Sequence, residues 1–166
     1  MRGLGRSLLL LDRVTTQAAL VAACAALLVA FLAGAWQVFT RFVLQEPSPW
    51  SEALVRQALI WMVLLGLAGA IREGALVAID IARASARGWL KRVIELVILA
   101  AILALFGVLF WFGWAMAERV RFQSIAGLEV SIAWGYAAIP VGAVFAIIAA
   151  VAALIDPRPD EAAGAA

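Results

Sequence analysis

Long apolar runs separated by short clusters of charge set the pattern of this chain. Residues 14 to 40, 57 to 71, 96 to 117 and 130 to 155 contain no Asp, Glu, Lys or Arg. A helix rises about 1.5 Å per residue and needs about 20 predominantly apolar residues to cross roughly 30 Å of hydrocarbon. The first, third and fourth runs qualify as they stand. The second is only about 22 Å long at that rise and borrows length from its ends. Pro47, Ser48, Pro49, Trp50 and Ser51 make a helix-start signature, with Ser51 as the expected cap and Glu52 in the first turn against the helix dipole. Glu52 and Arg56 are four apart, so they share a face and are expected to pair at the interface. The pattern predicts helices over about 14–40, 51–72, 89–118 and 132–155, the last kinked at Pro140, where a backbone hydrogen bond is lost.

Composition fixes the solvent. Apolar residues make up 66% and charged residues 14%, against about 45–50% and about 25% in soluble domains. A fold of this size has no interior large enough to hide that surface, and the mean hydropathy of +1.04 agrees. The expected class is an all-α integral membrane protein with four transmembrane helices. The domain plan is a cytoplasmic segment over 1–13, a membrane domain over 14–155 and a disordered cytoplasmic tail over 156–166, where prolines, acids and alanines have nothing to bury. Ala33-Gly34-Ala35 resembles a secretory cleavage site. The preceding run is far longer than the 7–15 residues of a signal core, so an uncleaved anchor is expected.

Charge gives the orientation. With the amino terminus inside, nine of the 13 basic residues are cytoplasmic and four, Arg41, Arg56, Arg119 and Arg121, are outside, which favours cytoplasmic termini. Trp36, Trp50, Trp111, Trp114 and Trp134 then fall near the outer boundary and Trp89 near the inner one, as an aromatic belt requires. Between the second and third helices, Arg83, Arg87 and Lys91 recur every four residues; this basic stripe either rests on anionic headgroups or simply marks topology.

Several functions are excluded by absence. A net charge of +2 on scattered basic residues sets nucleic acid aside as a partner. The chain has no histidine and one cysteine, Cys24, within an apolar run. No intrachain disulfide, Cys/His metal site, histidine-ligated haem or imidazole base is available. The four cores lack buried charges and convincing inverted repeats, which tells against a self-sufficient transporter or pump. No cofactor is expected in this chain.

What remains is packing. Ala18, Ala22, Ala26, Ala30 and Gly34 recur every four residues on the first helix, Gly66, Ala70 and Gly74 on the second, and Ala138, Gly142, Ala146 and Ala150 on the fourth. Such stripes let helices approach closely. Four short helices cannot bury all of them among themselves, so part is expected to face another membrane protein.

The residues around the second helix carry a resemblance. Arg41-Phe42, Pro49-Trp50-Ser51-Glu52, Arg56, Trp61, Gly66, Arg72-x-Gly74 and Ile79-Asp80 resemble the small membrane subunit, the DctQ-type component, of tripartite ATP-independent periplasmic (TRAP) transporters. Gln123-Ser124, Trp134-x-Tyr136 and Pro140-x-Gly142 fit as well, and the similarity covers residues 13 to 155. Two positions depart from the family pattern: Ala53 stands where a second Glu is frequent, and Leu76 where a His is frequent. The resemblance implies a bacterial inner-membrane scaffold without catalysis. A large membrane subunit would carry the substrate and sodium sites on an elevator, and a periplasmic solute-binding protein would deliver the solute, commonly an organic acid. The small subunit would brace the large one and help dock the soluble one.

Candidate interface residues follow from that role. Trp50, Glu52 and Arg56 are expected to fix the outer end of the second helix, or to serve as a generic interfacial anchor. Arg41, Arg119 and Arg121 are candidates to meet an acidic face of the soluble partner, speeding encounter more than tightening it, or else are solvated loop charges. Asp80 is expected to cap or to pair with Arg83 or Arg72. The competing classes are a small assembly or accessory subunit of another membrane complex, and a membrane enzyme. The first would share the hydropathy but not the Pro-Trp-Ser-Glu-x3-Arg to Arg-x-Gly-x5-Asp spacing.

Overall fold

The computed structural model describes residues 2–46, 48–72 and 89–155. The expected tail over 156–166 and residues 73–88, which carry Gly74, Asp80, Arg83 and Arg87, lie outside the described residues. Four helices account for most of the remainder: α1 (Arg2–Phe39), α2 (Pro49–Arg72), α3 (Trp89–Arg119) and α4 (Ala133–Ile155). Each contains a stretch long and apolar enough to cross a membrane. The helix of α1 is already continuous through residues 2–13, a stretch assigned above to a segment preceding the first helix. Leu8 to Leu11 are good helix formers, and no proline intervenes.

At its far end α1 widens into a π-helical turn, Thr40–Leu44, closed by Gln45 in the left-handed region (φ 56°), whose N–H donates to the Thr40 carbonyl. The next helix begins two residues before the position predicted for it. Pro49 takes the first helical position, where its missing N–H costs nothing and its φ is preset. Ser51 therefore sits inside the first turn rather than capping it. Fully buried, its hydroxyl donates to the Ser48 carbonyl at 2.8 Å.

The helices do not close into a symmetric bundle. Among the described residues α2 packs between α1 and α4, α1 also touches α4, and α3 packs on α4 alone. Accordingly α4 is the most buried helix and α3 the least. The core is built largely from small residues, Ala19, Ala23, Ala68, Ala143, Ala146 and Ala149, filled in by Leu65, Ile71 and Phe106. The α4 stripe behaves as its spacing predicts: Ala138, Gly142, Ala146 and Ala150 are all buried. At Gly142 the approach of α2 is so close that a Cβ would stand 2.8 Å from Leu64 Cβ and 2.9 Å from its carbonyl oxygen.

The stripe on α1 is buried only in part. Ala30 is buried, Ala26 and Gly34 are half-buried and Ala18 and Ala22 are exposed, and the buried seam runs through Asp12, Thr16, Ala19, Ala23, Ala30, Ala33 and Thr40. An interval of four residues advances the face by about 40° per step, because a helix turns about 100° per residue. A repeat held at four thus drifts off a single neighbour, staying buried on α4 because three helices cover it, whereas alternating steps of three and four keep one face toward a neighbour. On α2, likewise, Gly66 and Ala70 are only half-buried, while Ala68 and Gly69 face inward.

Candidate functional site

The outer candidates gather at the end of the molecule where α2 starts. There the α3–α4 connection folds back on itself: Ile125 N–H donates to the Val130 carbonyl and Ile132 N–H to the Gln123 carbonyl, both at 2.8 Å. The Ser131 hydroxyl donates to the Arg121 carbonyl at 2.7 Å. Gly127, at φ +90°, brings this loop over the first turn of α2; a Cβ there would lie 3.0 Å from the Pro49 carbonyl carbon and the Trp50 nitrogen. Trp61 ties the same elements together deeper down, donating its indole N–H to the Trp134 carbonyl at 3.1 Å.

Glu52 and Arg56 pair across one turn of α2, with guanidinium and carboxylate 3.1 Å apart. Trp50 lies exposed beside them. Arg41, on the π-helical turn, and Arg119 and Arg121, at the end of α3, are exposed at this same end. Arg121 lies 4.5 Å from the ring centroid of Phe122. The structure thus brings Glu52 and Arg56 together, and leaves Arg41, Arg119 and Arg121 as separate cations on one rim.

Beneath that rim is a cleft of about 800 Å³ between α2, α4 and the folded loop. Glu52, Arg56 and Gln57 form its α2 wall, Ser124 and Ile132 its loop wall, and Gly135, Tyr136 and Ile139 its α4 wall. The amide of Gln57 occupies the space where a side chain at position 135 would begin, so Gly135 is what admits it. Its Oε1 is buried and accepts no hydrogen bond among the described residues. Sequence reasoning passed over Gln57; its only signal was a polar residue one step beyond an interfacial pair.

The opposite end holds a second arrangement. Asp12 and Arg72 form an ion pair at 2.9 Å, with side chains only 2% and 6% exposed. Thr16 donates its hydroxyl to the other carboxylate oxygen at 3.1 Å. This joins α1, about three turns into the helix, to the end of α2. Arg72 is also an expected partner of Asp80, which lies outside the described residues; among the described residues it meets the carboxylate of Asp12. Nothing in local spacing announces a contact between charges so distant in the chain. Its one signal was an acid at the edge of an apolar run, with Thr16 four residues on.

Among the described residues no cluster of three His, Cys, Asp or Glu can hold a metal, and Cys24 is a free thiol on the apolar surface.

The chain matches the family model described as tripartite ATP-independent periplasmic transporters, DctQ component, over residues 30–159. It is also similar to the sialic acid TRAP transporter small permease protein SiaQ of Vibrio cholerae serotype O1, with 34% identity over 116 residues. Those residues are 68% of this chain and 65% of the relative, so the match spans slightly less than two thirds of that protein.

Proposed function

We propose, because the chain belongs to the DctQ component family of tripartite ATP-independent periplasmic transporters, that it braces a large membrane subunit during ion-driven solute import. As a DctQ component it is a multi-pass protein of the bacterial inner membrane and part of a transporter, not an enzyme. Membership sets aside the membrane enzyme and the accessory subunit of an unrelated complex.

In this reading both termini are cytoplasmic, and the large subunit holds the solute and sodium sites on its moving part. The present chain supplies a fixed surface. The supporting observation is the lopsided packing: α3 rests on α4 alone, leaving Trp111, Phe112 and Trp114 exposed on a helix that its own chain barely covers. Apolar faces of this extent suit either lipid or a larger membrane protein. The rim of Arg41, Arg119 and Arg121 then faces the periplasm and assists docking of a solute-binding protein through long-range attraction. The solute class is an organic acid, of which the sialic acid named for the Vibrio relative is an example.

Affinity purification of the tagged chain, co-expressed with a large TRAP membrane subunit from the same genome, tests this. Stoichiometric recovery of that subunit is expected. Recovery of the chain alone under conditions that keep the large subunit folded would refute the bracing role.

A further inference from the structure

The cleft at the start of α2 has a chemistry that the bracing role does not use. We propose that it binds one phospholipid whose headgroup carries a primary ammonium beside its phosphate, as the ethanolamine lipids do. This requires only that the chain sit in a bilayer and is independent of the transporter reading.

Polarity is graded along the cleft. Glu52 and Arg56 stand at its mouth, and Ile60, two turns further along α2, lines its floor with Ile139 of α4. Eight residues of helix span about 12 Å, so the cleft runs from headgroup level into the hydrocarbon layer. A molecule that is charged at one end and apolar at the other fits that gradient. Its volume of about 800 Å³ lies within the roughly 300–1,000 Å³ of ligand pockets.

Charge narrows the headgroup. The mouth carries one carboxylate and one guanidinium, 3.1 Å apart and both exposed, which together are neutral and present opposite poles. A zwitterion meets both, whereas a purely anionic headgroup would sit against the Glu52 carboxylate. Their mutual bond uses one N–H of Arg56; a guanidinium has five, and the remainder are free to take phosphate oxygens in its planar fork.

Hydrogen bonding narrows it again. The acceptor open to the cleft is the Glu52 carboxylate, which lines it and stays exposed. A primary ammonium brings three N–H donors to that carboxylate. The quaternary ammonium of a choline lipid brings none. The Glu52 carboxylate therefore discriminates ethanolamine from choline as a hydrogen-bond acceptor, and ethanolamine from glycerol headgroups by its charge.

Native mass spectrometry of the full chain, released from nanodiscs of equimolar phosphatidylethanolamine, phosphatidylcholine and phosphatidylglycerol with identical acyl chains, tests the proposal. One phosphatidylethanolamine per chain is expected to survive activation that strips the other two. Glu52→Gln is exposed and leaves the fold intact; it should lower phosphatidylethanolamine retention roughly tenfold, equivalent to about 1.4 kcal/mol, and raise phosphatidylglycerol retention at the freed Arg56. Equal retention of the three lipids, or unchanged selectivity in Glu52→Gln, would overturn the proposal. So would phosphatidylethanolamine that is held by the chain alone but lost when the large subunit is bound, since a protein segment would then own the cleft.

Discussion

Truncating Asp12 to Ala removes the carboxylate that joins α1 to the end of α2. The magnitude follows from burial. Asp12 and Arg72 are 2% and 6% exposed at a separation of 2.9 Å, which puts them among buried pairs, where loss of one partner costs about 3–5 kcal/mol because the other charge stays behind. Thr16 loses its acceptor as well. The pair at the opposite end offers an internal control of similar geometry. Glu52 and Arg56 are 3.1 Å apart but 62% and 71% exposed, so solvent screens them and their Ala variants should shift stability by about 0.3–0.5 kcal/mol. Reversible unfolding of the purified chain in mixed dodecylmaltoside and SDS micelles, followed by far-UV circular dichroism, measures both. Asp12→Ala should cost about 3–5 kcal/mol, and Asp12→Ala/Arg72→Ala should cost clearly less than the sum of its single variants, as expected of residues in contact. An Asp12→Ala loss no larger than the Glu52→Ala loss, or strict additivity in the double variant, would refute the buried pair as a clamp.

Two further outcomes test packing and partner. Gly142→Leu should drive α2 and α4 apart, because the new Cβ would meet Leu64 at 2.8 Å; a loss of about 1–3 kcal/mol is expected in the same unfolding assay, with reduced recovery of the large subunit. The Arg41→Ala/Arg119→Ala/Arg121→Ala variant should flatten the salt dependence of uptake at unchanged saturating rate, since exposed charges act on encounter and are screened within about 8–10 Å; an unaltered salt dependence would leave those arginines as solvated charges.

The four crossings and the Glu52–Arg56 pair were legible in the sequence because both depend on local periodicity. A long apolar run is a helix in lipid whatever its neighbours, and charges four apart meet whenever the helix forms. The packing face of α1 was legible only in part for the same reason. Counting in fours picks out Ala30, which is buried, but also Ala18 and Ala22, which are exposed, while Ala19, Ala23 and Ala33 join the seam only when steps of three and four alternate. The Asp12–Arg72 clamp and the Gln57 amide against Gly135 depend on which helices lie side by side. No spacing along one helix encodes that. Asp12 looks like a boundary charge until α2 delivers Arg72 to it. The order of the helices, with α4 at the centre and α3 at the margin, belongs to the same class of information.

Sodium-gradient uptake into proteoliposomes separates a brace from a carrier most directly. Vesicles holding this chain with the large TRAP subunit, supplied with the solute-binding protein from outside, are expected to accumulate the solute, and vesicles holding this chain alone to remain at background under the same gradient. Gradient-driven accumulation by the chain alone would contradict the account.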